Sequence, residues 1–229
     1  PHVLHLFSKI CRERGSLYFR VGKEFRYVQS GERNFDYEGL HRKLWGVFIN
    51  LWGFHQIINA TTALGAMEVL EELGYPVSND AMMDGLKEVE WPGRLEIICS
   101  SPRVVLDGAH NPAGALVLKE SLEKEFQYDH LILLIGVMKD KDIESILHLL
   151  APLADRIILT RPNNDRAAPP ALLKKALGQN GKKAEIAEDL KGAIDRGLSM
   201  TGEKDLLCIT GSLYTVGEAR AYFLPRGGT

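Results

Sequence analysis

The pattern of apolar and polar positions changes character near residue 100. Before that point it mixes periods. Residues 1–15 hold an amphipathic segment with Val3, Leu6, Phe7 and Ile10 at helical spacing. Short aromatic and β-branched runs follow: SLYFRV at 16–21, FRYVQ at 25–29 and LWGVFINL at 44–51. Gly22-Lys23 and Gly31 punctuate them, which predicts hairpin-like strands. From Phe54 to Leu73 the period turns helical, with Ile57, Ala60, Leu64, Met67 and Leu70 on one face, and Gly74 followed by Pro76 ends it. A shorter helix is predicted at 79–88, and the Pro-Gly of WPGRLE, 91–96, marks a break.

Beyond residue 101 apolar runs alternate with helical segments. The runs are VVLD 104–107, LILLIG 131–136, RIILT 156–160, KAEIA 183–187 and LLCIT 206–210. Helices are predicted at 112–126, 141–151, 169–178, 189–200 and 213–223. Strands with so little polar alternation are buried on both faces, which predicts a mostly parallel sheet with helices on each side, an α/β Rossmann-like fold. The boundary is placed at 96–101, giving domains 1–96 and 97–229. The tail PRGGT is expected to fray.

Composition narrows the classes. The 229 residues suit one large domain or two small ones, and 45% apolar residues are enough for a core. A net charge of −2 argues against a general nucleic-acid or anionic-membrane binder. No apolar stretch approaches the length of a membrane helix. Cys11, Cys99 and Cys208 are scattered without metal-ligand spacing, which fits reduced thiols in a cytoplasmic protein. The chain opens on Pro1 rather than Met, and the expectation is a fragment.

The candidate chemistry lies in the turns. In LDGAHNP, 106–112, Asp107 ends a strand and points toward the crevice beyond the carboxyl ends of a parallel sheet. Asn111 suits an N-cap and Pro112 the first helical position, with His110 beside them. The free N–H groups of such a helix start favour an anion. Plain capping and turn formation explain the same residues equally well. CITGSLYTVGEAR repeats the arrangement: Gly211 allows close approach, and Ser212 suits a cap or a ligand contact. Lys139 and Lys141 of GVMKDKD suit either phosphate contact or a solvated loop. GQNGKKA, 178–184, imitates a nucleotide loop, but it closes a helix and enters a strand, the reverse of what a phosphate loop needs. Its glycines read as a C-terminal helix cap. In the first half, His55 and Asn59 share a helix face, and the Asn59 amide suits either a purine edge or the local backbone.

Taken in order, LWGFHQIINATTA, WPGRLEII, VVLDGAHNPAGA, GVMKDKD and ITGSLYTVGEAR resemble the folylpolyglutamate synthase / dihydrofolate synthase family, a branch of the Mur ligase superfamily. The resemblance spans roughly residues 16–223. It implies the C-terminal remnant of a central ATPase domain in 1–96 and a whole glutamate-ligase domain in 97–229. It implies an ADP-forming ligase in which ATP activates a folate or dihydropteroate carboxylate as an acyl phosphate, which the amine of L-glutamate attacks. By resemblance, Asn59 lies near adenine, and Arg94 and Asp107 contact ATP. His110, Ser212 and, more weakly, Tyr214 serve glutamate, with Asp107 and His110 nearest the chemistry. The phosphate loop and the magnesium ligands are expected upstream of these residues, with no metal ligand here. The chain alone is therefore expected to be inactive, and the enzyme a cytoplasmic monomer. Another Mur-type amino-acid ligase, or a non-catalytic nucleotide- or glutamate-binding module, are the alternatives.

Overall fold

A computed structural model describes residues 2–178 and 184–224. The chain forms two compact units, one holding residues up to Asn50 with Phe54–Val89, the other Leu51–Gly53 with the residues from Glu90 on. The segment 90–96, placed in the first domain on sequence, packs within the second unit: Leu95 is buried in that unit's core.

The first unit begins with α1 (His2–Glu13), followed by β1 (Arg26–Gln29), β2 (Asn34–Glu38) and β3 (Lys43–Phe48) in one antiparallel sheet, ordered β1-β2-β3. Helices α2 (Phe54–Glu72) and α3 (Asn79–Glu88) complete it. The run 16–21 is not a strand. The Arg20 N–H donates to the Glu24 carboxylate, and Gly22 turns the chain at φ +88°, so only an isolated Val21–Phe25 bridge forms. Strand β2 was not predicted, although Phe35 and Tyr37 alternate inward. Its Asn, Asp and Glu are weak strand formers, and packing overrides them. The inner face of α2 is also rotated from the predicted one. Glu68, not Leu70, is buried. Its carboxylate accepts the Tyr37 hydroxyl at 2.5 Å and the His41 N–H at 2.7 Å. Burial beside that carboxylate pushes the Tyr37 phenol far above its usual range.

The second unit carries β4 (Glu96–Ser100), β5 (Arg103–Leu106), α4 (Pro112–Lys124), β6 (Leu131–Ile135), α5 (Ile143–Leu150), β7 (Arg156–Leu159), α6 (Pro170–Leu177), β8 (Ala184–Ile186), α7 (Leu190–Met200), β9 (Leu206–Thr210) and α8 (Leu213–Phe223). The strand order is β4-β5-β9-β6-β7-β8, parallel except for β4. Strand β4 is an edge strand with a register irregularity, and its half-exposed residues hid it from the apolar pattern. Helices α4, α5 and α6 bury Leu118, Ile146 and Leu173 against one sheet face, with Val105, Leu133 and Cys208. Helices α7 and α8 bury Ile194 and Val216 against the other, with Leu106, Leu134 and Ile209. Gly178, at φ +54°, caps α6, while residues 179–183 of the GQNGKKA segment and the tail 225–229 lie outside the described residues.

This order sets where the chain changes direction at the edge of the sheet. The connections β5→β6→β7→β8 step one way through α4, α5 and α6, then α7 returns on the opposite face and inserts β9 between β5 and β6. The chain therefore parts to opposite faces at the carboxyl ends of β5, β9 and β6. A crevice opens at such a switch point.

Candidate functional site

Asp107 follows β5 directly and its own N–H still joins the ladder, donating to the Ile209 carbonyl at 3.1 Å. The residue is 8% exposed. One carboxylate oxygen accepts the Ala109 N–H at 2.9 Å and the other the Leu95 N–H at 3.1 Å. Asp107 thus ties its own turn to the turn at 91–95. Burial raises its pKa, against the pull of those two N–H groups and of the nearby Arg94 and His110. A carboxyl raised in the folded state binds its proton more tightly there than in the unfolded chain. Its contribution to stability is therefore fully present at acid pH and is lost as pH rises through the raised value. Urea titrations of wild type and Asp107→Ala are expected to show their stability difference shrinking from acid to neutral pH. A constant difference would refute the burial-driven shift.

Gly108 donates its N–H to the Gly93 carbonyl at 2.8 Å. A Cβ at this position would lie 2.5 Å from Arg94 Nη1 and from Leu213 Cδ2, so the missing side chain is what lets the two turns and α8 meet. His110 Nδ1 lies 2.8 Å from the Gly108 carbonyl. A carbonyl only accepts, so Nδ1 carries the hydrogen. Asn111 is the N-cap of α4, its side-chain oxygen accepting the Gly114 N–H at 2.8 Å, with Pro112 at the first helical position. Arg94 is half-buried. Its guanidinium donates to the Gly93 carbonyl at 3.3 Å and forms no ion pair among the described residues.

Ser212 caps α8 from a 2% exposed position. Its Oγ accepts the Thr215 N–H at 3.0 Å and lies 2.8 Å from Thr215 Oγ1. Thr215 Oγ1 donates its single hydrogen to the Gly136 carbonyl at 2.8 Å, so the Ser212 hydroxyl must donate to Thr215. The serine hydrogen is therefore engaged. The groups left facing outward are the N–H groups of Leu213 and Tyr214, which have no acceptor within a helix. Tyr214 is 52% exposed at the same start.

The remaining predicted residues divide. Lys139 Nζ donates to the Asp165 carbonyl at 2.9 Å, and Lys141 pairs with Asp140, which also binds Arg166. Lys139 thus ties its loop to the one after β7, and Lys141 braces its own loop. Beside them a concavity of about 600 Å³ is lined by residues of both signs, among them Lys139, Arg161, Glu188 and Glu218. Asn59 stands in the first unit, exposed on α2, its amide donating to the Gln56 side chain at 2.9 Å. The second unit gathers Arg94, Asp107, His110, Ser212 and Tyr214 at one sheet edge.

Sequence reasoning missed three features of this edge. Leu95 adopts φ +47°, rare for a residue with a Cβ. Thr215, three residues after the Ser212 cap, bridges to Gly136, and only that spacing hinted at it. Thr160 and Thr210, at the carboxyl ends of β7 and β9, are buried with hydroxyls that have no hydrogen-bond partner among the described residues. Buried hydroxyls are normally paired with protein, water or ligand. Their position favours a polar occupant here, and the half-buried Arg94 and the outward N–H groups of α8 favour an anionic one. No three His, Cys, Asp or Glu side chains among the described residues converge to hold a metal ion. None of the described helices is long and apolar enough to cross a membrane.

A family model described as "Mur ligase, glutamate ligase domain" matches residues 93–213, which include Arg94, Asp107, His110 and Ser212. The dihydrofolate synthase/folylpolyglutamate synthase of Mycobacterium tuberculosis is 33% identical over 215 residues, covering 86% of this chain and 44% of that protein. The solved Mycobacterium tuberculosis folylpolyglutamate synthase complexed with ADP superposes with a TM-score of 0.91 at 31% identity, over 100% of this chain and 54% of that one. Escherichia coli FolC in complex with DHPP and ADP gives 0.84 at 27% identity, over 94% of this chain and 49% of that one. The chain thus spans about half the length of these relatives.

Proposed function

This chain belongs to the Mur ligase glutamate ligase domain family, and from that membership we propose that it is the glutamate-accepting half of an ATP-dependent, ADP-forming acid–amino-acid ligase. The acceptor is a folate or dihydropteroate carboxylate. One observation carries the reading: the carboxyl ends of β5 and β9 bring together two capped helix starts and a half-buried Arg94 that forms no ion pair among the described residues. Helix starts and a guanidinium without a carboxylate partner among the described residues suit phosphate and carboxylate, the two anions such a reaction handles.

In this reading residues up to 89 close a central ATPase domain, and the WPGRLE turn, 91–96, belongs with 97–229 in the glutamate-ligase domain. Arg94 reaches the phosphates of ATP, where phosphoryl transfer depends on charge stabilisation and positioning. Asp107 holds the Leu95 and Ala109 amides, and so orients both turns around the nucleotide. Asn59 serves the adenine. His110 and the amides of Leu213 and Tyr214, aligned by the Ser212 cap, receive glutamate. With Nδ1–H on the Gly108 carbonyl, His110 offers Nε2 as an acceptor for the incoming ammonium or its proton. ATP-bound magnesium, which would neutralise phosphate charge, is held by groups outside these residues. The enzyme is read as a cytoplasmic monomer.

The test is ADP release with magnesium, ATP and glutamate, comparing this chain with the full-length ligase that carries it. Dihydropteroate, tetrahydrofolate and a muramyl precursor are offered in turn. Turnover by the full-length protein on a pterin, with none by this chain, is expected. Turnover on the muramyl precursor alone would overturn the folate assignment and keep the family. Within the full-length protein, Ser212→Ala is expected to raise the glutamate KM more than the ATP KM, with about 1 kcal/mol of stability lost with the cap. Equal rises in both would reduce Ser212 to a cap with no bearing on glutamate.

A further inference from the structure

We propose that Glu96 and Arg220 form a positioning pair that sets the Arg94 turn from helix α8. This rests on the role given to Arg94 above and extends it to residues that touch no substrate. Arg220 Nε lies 2.9 Å from one Glu96 carboxylate oxygen and 3.2 Å from the other. The second oxygen accepts the Gly93 N–H at 2.8 Å. The Gly93 carbonyl in turn accepts the Gly108 N–H at 2.8 Å and the Arg94 guanidinium at 3.3 Å. A continuous line of polar contacts therefore runs from the third turn of α8 to the guanidinium.

Helix α8 supports the turn by packing as well. Leu213, Val216 and Arg220 lie at i, i+3 and i+7 and so share one stripe. Leu213 meets Gly108, and a Cβ on Gly93 would lie 2.6 Å from Val216 Cγ1. The turn has reason to need such support. Gly93 and Leu95 both sit at positive φ, +71° and +47°. For leucine that conformation costs free energy and persists only where its surroundings impose it. Asp107 holds the Leu95 N–H from one side, and Glu96 holds the Gly93 N–H from the other. The ion pair is sheltered, with the Glu96 side chain 19% and the Arg220 side chain 39% exposed. The same helix carries the Ser212 start at its other end. Helix α8 thus joins the glutamate side of the crevice to the arginine that serves the nucleotide.

The experiment is a double-mutant cycle in the full-length ligase, with amide hydrogen exchange on the same proteins. Arg220→Met is expected to lower kcat about tenfold, since a small misplacement of a charge-stabilising group is enough for that. The glutamate KM should stay within about twofold, and Arg220→Lys should restore most of the rate. In an Arg94→Ala background, Arg220→Met should cost little more, because the two residues act through one guanidinium. Exchange at the Gly93 and Leu95 amides should rise while the core strands stay protected. An equal loss of kcat in both backgrounds, or unchanged exchange at Gly93, would overturn the positioning role. Should Arg220→Met fold poorly, Glu96→Gln keeps the acceptor for Gly93 without the charge, and the same cycle with Arg94→Ala decides. Wild-type protein without glutamate-dependent ADP release would sink the ligase reading and this inference together. Ligation with additive losses would sink this inference alone.

Discussion

Arg94→Ala in the full-length ligase is expected to lower kcat by a hundredfold or more, on the order of 3 kcal/mol of transition-state stabilisation. The argument is electrostatic. Arg94 is half-buried, it has no carboxylate partner among the described residues, and its guanidinium is steered by the Gly93 carbonyl across Gly108. A fixed cation that needs no reorganisation is worth far more to a developing charge than one that must be recruited from solvent. Asp107→Ala should cost a similar factor by another route. It leaves the Leu95 and Ala109 amides, both buried, without acceptors, and it releases the turn that aims Arg94. Steady-state kinetics with ATP and the pterin acceptor check both variants. Activity within threefold of wild type in each would remove the roles assigned to them. Melting curves on the same proteins separate the cases, since Arg94→Ala should leave stability nearly unchanged and Asp107→Ala should not.

The second large effect concerns folding. Gly211 joins β9 to the Ser212 cap at φ +105°, and a Cβ there would lie 2.6 Å from the Gly136 carbonyl oxygen and 2.9 Å from Ile135 Cγ1. The obstacle is mostly backbone at the end of β6, which cannot swing aside. Gly211→Ala therefore combines a strained backbone with an overpacked contact, and is expected to cost about 3 kcal/mol or more. That is a large share of the stability of an ordinary domain. Gly217, inside α8, is the control: a Cβ there meets nothing within 4 Å, and Gly217→Ala should be neutral or stabilising by about 0.5–1 kcal/mol. Urea unfolding of the chain and both variants reads the difference. Equal midpoints for Gly211→Ala and wild type would show that the β9–α8 junction tolerates a side chain, and would remove the close-approach argument for that turn.

Much of the architecture was legible before any coordinates. The parallel strands of the second unit are buried on both faces, so LILLI and LLCIT needed no partner to announce themselves. Helices 79–88 and 213–223 match their predicted limits because Ser78 and Ser212, each a local signal, cap them. Strands β2 and β4 escaped notice because their pairing comes from neighbours, not from their own residues. The inner face of α2 was misread at Glu68, whose burial depends on Tyr37 and the His41 amide, 31 and 27 residues away in sequence.

The same division runs through the crevice. Sequence alone determined which turns follow the strands at the carboxyl edge of the sheet, because Asp107, His110, Asn111 and Ser212 stand just beyond apolar strands and at helix starts, and those positions follow from local pattern. It did not determine what each group does there. Whether Ser212 keeps a free hydrogen depends on a Thr215 hydroxyl bound to Gly136, 79 residues back in the chain. Where Arg94 points depends on Glu96 and Arg220, 124 residues apart. Hydrogen bonds and packing are short-ranged in space, while sequence pattern is short-ranged along the chain. Most elements and their ends follow from the second, and the aim of the candidate site's side chains had to wait for the first.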